Sequence, residues 1–160
     1  MKKIKLRKKG FAIVDPMYYD MVNKLSWFID GRGYVVTDTN RRKDRKLIKL
    51  HRSIMNARKN EAVDHINRDR LDNRIKNLRI CTIGQNNCNR GKQKNNTSGY
   101  KGVTWDKKNK KWQASIQWLG KAHKVGRYKT AKQASLAYNK MAKIIHGEFA
   151  YSRKLDKCIK

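Results

Sequence analysis

The sequence predicts an α+β protein assembled from small modules. They are a short β-rich segment at the N-terminal end, a compact polar motif in the middle, and a three-stranded antiparallel sheet packed on one α-helix at the C-terminal end. Three observations predict it. The run WQASIQW alternates Trp112, Ala114, Ile116 and Trp118 with Gln113, Ser115 and Gln117, a period of two that gives a sheet one apolar and one polar face. Ala131, Ala134, Tyr138, Met141 and Ile145 recur at three- and four-residue steps, the period of a helix with one apolar stripe. Near the start, β-branched and aromatic runs are short and are broken by Gly-containing turns.

In chain order, residues 11–15, FAIVD, and 33–37, GYVVT, read as strands, with Asp30-Gly31 and Gly33 turning the chain into the second. Between them Tyr18, Val22, Leu25 and Trp27 mark a short helix leading into a strand. Residues 40–46, NRRKDRK, read as a solvated loop, and 46–55, KLIKLHRSIM, as a strand running into a short helix. Residues 90–98, RGKQKNNTS, hold no hydrophobe and form the natural boundary between modules. The runs GYKGVTW, KWQASIQWLG and HKVGRY then read as three strands. Thr130 stands at an N-cap position, Ala137 and Ile144 widen the helical stripe that follows, and Gly147 closes it. Trp112 and Tyr138 are core by periodicity, Trp105 and Trp118 are expected to pack as well, and His146 caps or packs the helix end.

Charge narrows the function. The chain has 160 residues and a formal net charge of +29, spread as +11 over residues 1–62, +5 over 63–95 and +13 over 96–160. So positive a surface gains most from a polyanion, and nucleic acid is the obvious one, because Lys and Arg displace condensed counterions from phosphates. No apolar run approaches the roughly 20 residues that span a bilayer, and no signal-type apolar stretch follows the basic start, so the expectation is a cytoplasmic protein with no membrane contact. Cys81, Cys88 and Cys158 form no C-x-x-C pair, which argues against both a disulfide framework and a zinc ribbon.

The helix can cover only one face of the C-terminal sheet, so the other meets solvent or a ligand. Lys101, Ser115, Gln117 and Lys124 are out of phase with the apolar set and are of the type that reaches phosphates and base edges. The stretch from Ser98 to Ser152, through "SGYKGVTW", "KWQASIQW" and "VGRYKTAKQASLAYNKMAKIIHGEFA", resembles the AP-two/ethylene-response-factor DNA-binding domain, with Lys101 in place of Arg, Val125 of Leu and Tyr128 of Phe. The resemblance implies DNA contacts from Lys101, Gly102, Thr104, Ser115, Gln117 and Lys124.

The middle of the chain carries the chemistry. Asp64 directly precedes His65, and side-chain amides crowd the next twenty residues. Phosphodiester hydrolysis needs an activated water, neutralisation of the charge growing on phosphorus, and help for the leaving oxygen. A divalent metal on carboxylate and amide oxygens supplies the last two, and a neutral imidazole the first. The competing reading is plain: Asp-His pairs are common, and Asn-rich loops often satisfy only their own backbone through Asx turns.

The wider pattern, "LHRSIM" and then "AVDHINRDRLDNRIKNLRICTIGQNNCNR", resembles the HNH endonucleases of the phage and intron-encoded type, with Arg68 where a Gly is usual and Asn86 where other HNH enzymes often have His. The resemblance implies a ββα-metal HNH module, with Asp64 and His65 from its first strand and Asn86 from a helix near 84–90. By it His65 is the general base, Asp64 and Asn86 hold one divalent metal, magnesium or manganese and no zinc, and Asn77 ties the loop and orients His65. Asn73 bridges backbone in the same loop, Arg74 and Arg79 clamp phosphate, and His51 is structural. Trp27, Tyr34 and Leu50 are expected to support the module from the N-terminal segment.

The domains are expected at 1–92 for the nuclease with its supporting segment, 93–98 for a linker and 99–160 for the AP-two-like domain. The whole reads as a homing-type DNA endonuclease acting as a monomer on double-stranded DNA in a bacterial or phage-infected host. The alternative is a non-catalytic, sequence-specific DNA-binding regulator, and a third reading is an RNA-binding basic protein.

Overall fold

The structure, a computed structural model, describes residues 1–8, 10–38 and 46–151. Two units divide the chain, Met1–Asn86 and Asn87–Lys160, and each has its own apolar core.

The first unit opens with β1 (Lys2–Lys5), antiparallel to β2 (Phe11–Val14). Ile4 and Leu6 are buried and the lysines around them exposed, so strand alternation operates even in this very basic stretch. Helix α1 (Pro16–Asn23) starts on Pro16, whose fixed φ suits a first helical position. Just beyond it the buried Trp27 donates its indole N–H to the Val22 carbonyl at 2.7 Å. Then β3 (Phe28–Ile29), β4 (Val35–Asp38) and β5 (Leu47–Lys49) form a small antiparallel sheet in that order. The Asp30 carboxylate accepts from the N–H groups of Arg32 and Tyr34 and so shapes the turn between β3 and β4. The solvated loop expected at 40–46 lies, except for Lys46, outside the described residues. Helix α2 (Leu50–Ile54) follows β5 directly and buries Leu50, His51 and Ile54.

Next, β6 (Ala62–His65) and β7 (Leu78–Cys81) pair antiparallel, and helix α3 (Ile83–Asn89) follows. Val63 and Leu78 of this hairpin join Ile4, Val14, Val22, Trp27, Val35 and Leu50 in one core. The expectation that Trp27 and Leu50 support the motif region is therefore met by a shared core. These small antiparallel sheets with few helices fit the α+β class.

In the second unit β8 (Val103–Asp106), β9 (Lys111–Trp118) and β10 (Lys121–Tyr128) form an antiparallel sheet in that order. Helix α4 (Ala131–His146) packs on it, so that Val103, Ala114 and Ile116 share a core with Ala134, Tyr138 and Ala142. Thr130 caps the helix through a reciprocal capping box with Gln133, and Gly147 leaves it at φ 53°. Gly102 is the tightest point. A Cβ there would overlap the Tyr138 ring and lie 2.7 Å from the Ser115 carbonyl, and its φ is +69°.

Three expectations are corrected. Trp105 and Trp118 are not core residues; they are 45% and 47% exposed. The helix covers the middle of the sheet, whereas Trp105 stands near the end of short β8 with its ring edge-on to Trp112 at 5.1 Å, and Trp118 ends β9. Ile144 is exposed because it lies roughly 200° round the helix from the buried Ala142.

Candidate active site

The site is built on the end of a strand. Asp64 lies opposite Arg79 and His65 opposite Leu78 in the β6–β7 register. Neighbouring residues of a strand point to opposite faces, and β6 ends at His65, where a turn begins: the Arg68 N–H donates to the His65 carbonyl at 2.9 Å. Arg68 sits at φ +67°, the left-handed conformation that a Gly adopts without penalty, so this Arg holds a Gly-type position.

Residues 66–77 are a loop stitched by amides and carboxylates. Asn77 Oδ1 accepts from the Asn67 N–H at 2.9 Å, and Asn77 Nδ2 donates to the Asp72 carbonyl at 2.7 Å. Asn67 and Asp69 each accept from a backbone N–H two residues on, which are Asx turns. The N-terminal segment holds the loop from outside: Ile13 N–H donates to the Leu71 carbonyl, Asn73 N–H donates to the Ile13 carbonyl, and Asp15 accepts from the Ile75 N–H. The motif is thus tied to β2 through backbone bonds, which gives residues 1–60 a structural reason within this unit.

Asn73 is buried and reaches His65. Its Nδ2 donates to the Arg70 carbonyl at 3.1 Å, which fixes the amide and turns Oδ1 toward His65 Nε2, 3.4 Å away. A proton on Nε2 suits that acceptor. So the orienting bond to His65 comes from Asn73, while Asn77, expected in that role, braces the loop. Burial is the largest effect on the His65 pKa and lowers it, opposed by the bond to Asn73 and by Asp64. The imidazole is therefore neutral at physiological pH.

His51 lies beside it. The two rings meet edge-on with centroids 5.0 Å apart, and Tyr34 stands 5.0 Å from His51 and 6.1 Å from His65. Burial, with the neighbouring His65, pushes the His51 pKa down to about 3. Its Nδ1 is buried with no hydrogen-bond partner among the described residues. The next residue, Arg52, donates to the carbonyls of Ala57, Arg58 and Glu61 and so anchors the lead-in to β6.

Asp64 is buried, and both Nε and Nη2 of Arg79 donate to its Oδ2, at 3.0 and 2.7 Å. Arg74 is held likewise by the two oxygens of Asp72. Both guanidiniums expected on phosphate are thus engaged with aspartates inside the protein. The cation that sequence reading missed is Arg70, exposed, with its guanidinium 4.5 Å over the Tyr34 ring and near enough to both histidines to lower their pKa values. Nothing in its local sequence distinguishes it from the chain's other arginines.

Asp64 and Asn86 are the residues that would hold a metal. Burial raises the Cys81 pKa, and backbone groups of Asp64 and of Asn86 both lie close enough to that thiol to pull it part of the way back. The strand carrying the carboxylate and the helix carrying the amide therefore converge on one sulfur. One carboxylate and one amide oxygen are hard donors of the type magnesium and manganese accept.

In the second unit, Thr104, Gln117 and Lys124 are exposed and Ser115 is half-buried. Lys101 is drawn inward: its ammonium donates to the Cys88 and Arg90 carbonyls, both at 2.6 Å, and lies 5.3 Å over the Tyr151 ring. Gly102 meets the packing need described above. On the strand edge Arg127 and Asn109 hold the Asp106 pKa down to about 2.

A family model described as HNH endonuclease matches residues 57–88, from the lead-in of β6 through α3. A protein of Acanthamoeba polyphaga mimivirus, named as an uncharacterized HNH endonuclease, is 34% identical over 157 residues, covering 94% of this chain and 79% of its own length. Protein 3.8 of Escherichia phage T7 is 31% identical over 91 residues, 57% of this chain and 74% of its own. No solved structure matches the chain. The class these features and likenesses define is that of the nucleases. The chain belongs to the HNH endonuclease family.

Proposed function

We propose that the protein is a homing-type endonuclease that hydrolyses phosphodiester bonds in double-stranded DNA with one divalent metal. The observation that carries this reading is the neutral, Asn73-tethered His65 at the end of the strand that also bears Asp64, with the backbones of Asp64 and Asn86 both near Cys81 of the paired strand β7. Asp64 and Asn86 would hold magnesium or manganese, with no zinc. The bound metal supplies charge neutralisation at phosphorus and at the leaving oxygen. His65 Nδ1 accepts a proton from water as the water oxygen bonds to phosphorus, and the P–O bond to the departing deoxyribose breaks. Asn73 keeps the imidazole ring in place during that transfer. Asn77 holds the loop that carries Asn73. Arg79 and Arg74, now on Asp64 and Asp72, are the guanidiniums assigned to phosphate in this reading, with the exposed Arg70 beside them.

The catalytic module spans residues 1–92 in this reading, because α3 carries Asn86 and runs to Asn89. After a linker at 93–98, residues 99–160 form the AP-two-like module that positions the cut, through Thr104, Ser115, Gln117 and Lys124 on its open sheet face. One active site per chain cuts one strand per event, so a monomer nicks, in the cytoplasm of its host.

Supercoiled plasmid with magnesium or manganese tests the reading. Nicking is expected, and His65→Ala should abolish it while duplex binding persists. Binding by the unaltered protein without cleavage in either metal would leave the DNA-binding regulator as the better account.

A further inference from the structure

The β9–β10 hairpin ends in an unusual tip. Trp118 and Lys121 form its closing pair, and only Leu119 and Gly120 connect them. Both have positive φ, +49° and +75°. A two-residue loop with this backbone favours Asn-Gly or Asp-Gly, because Leu gains nothing there and its Cβ is strained. Leu119 is also 78% exposed and stands outside the second unit's core. Beside it Trp118 is 47% exposed, its ring 5.7 Å from that of His123. A strained, solvated Leu at a turn that Asn would stabilise points to a role other than folding.

The surroundings name the partner. No Asp or Glu occurs between Asp106 and Glu148, so the hairpin carries Lys121 and Lys124 with no acid of its own. Cations flanking a small apolar tip match a duplex, whose phosphates border a stack of apolar base faces. Two side chains are too small a surface for a stable protein interface, whereas one apolar wedge suffices to part a base step and kink the duplex.

We propose that Leu119, backed by Trp118, is a wedge that enters a base step of bound duplex DNA and bends it. The proposal rests on the reading that this protein binds DNA. It adds a contact from the hairpin tip to those expected from the sheet face.

Full-length protein is tested in EDTA, so that no cut occurs, on a 20-base-pair duplex (about 70 Å long) of mixed sequence. The readouts are end-to-end energy transfer for bending and 2-aminopurine fluorescence for unstacking. Leu119→Asn suits the turn and should melt at the same temperature as the unaltered protein or higher. It should bind about tenfold more weakly, the loss expected for one buried Leu, and should leave the duplex straight and stacked. Leu119→Met, still an apolar wedge, should retain both effects. Equal bending and affinity for Leu119→Asn and the unaltered protein would refute the wedge and leave DNA binding intact. A lower melting temperature for Leu119→Asn would also refute it, by making Leu119 a folding residue. Absence of duplex binding by every variant would remove the DNA-binding reading itself. Leu119-dependent binding to vesicles of phosphatidylglycerol and phosphatidylcholine, with no duplex bending, would replace the wedge by a lipid-surface contact.

Discussion

At the scale of single residues, the site depends on two imidazoles kept uncharged by burial, and this makes an acid-stability prediction. His51 takes a proton only near pH 3 in the folded protein, against an ordinary value of 6.5. Its folded pKa is depressed, so its contribution is fully present above pH 6.5. It is lost as pH falls, because the unfolded chain binds the proton first. Each pH unit between 6.5 and 3 should cost roughly 1.4 kcal/mol from this residue alone, and His65 adds to the effect in the same direction. Urea unfolding at pH 6.5 and pH 4.5 checks it: His51→Phe should lose roughly 2–3 kcal/mol less over that interval than the unaltered protein, and an equal loss would exclude His51 as the source. The residues themselves were legible in different degrees. Asp64, His65, Asn77 and Asn86 stand out because a carboxylate, an imidazole and amides recur in a known order. That the bond to the His65 ring comes from Asn73 did not stand out, since either amide can reach a ring nitrogen or a backbone group, and only the fold of residues 66–77 decides which does. Arg70 was invisible because its importance is its place over Tyr34, thirty-six residues earlier in the chain.

Among the elements, those with a clean period were read well and those masked by charge were not. The alternation of β9, the stripe and Thr130 cap of α4, and the turn before β4 are all local signals, and the structure has each of them. Strand β1 went unread because its inward residues, Ile4 and Leu6, are separated and surrounded by lysines, so charge concealed the period of two. The tryptophans failed differently. Packing was expected of both because aromatics in small sheets usually fill the core, but burial depends on how far α4 extends over the apolar face, and neither Trp105 nor Trp118 belongs to the core it covers. Gly102 carries the clearest prediction at this scale. Gly102→Ala meets the Tyr138 ring and the Ser115 carbonyl at once, and its φ is one that Ala resists. Neither neighbour can give way, as Tyr138 is in the core and the carbonyl is sheet backbone. The variant should lose several kcal/mol, on the order of 3. A calorimetric scan in which Gly102→Ala melts with the unaltered protein would show that the sheet and α4 separate more easily than this packing implies.

For the whole molecule, the balance between charge and chemistry separates affinity from turnover. Forty-one Lys and Arg against twelve Asp and Glu make phosphate contact the main source of binding. Such binding weakens steeply with salt; six phosphate contacts would cost roughly a thousandfold between 50 and 200 mM. The groups proposed to break the bond are screened from this. Asp64, His65 and Asn73 are buried, and a buried charge or hydrogen bond is much less sensitive to ions in solution than an exposed lysine. Raising sodium chloride over that range should therefore raise KM for plasmid nicking by orders of magnitude while kcat, measured at saturating DNA, holds. The opposite pattern, a falling kcat with a steady KM, would mean that solvent ions reach the Asp64–Arg79 pair. In that case the buried carboxylate would be open to competing cations, and the division of labour between a cationic surface and an enclosed motif would not hold.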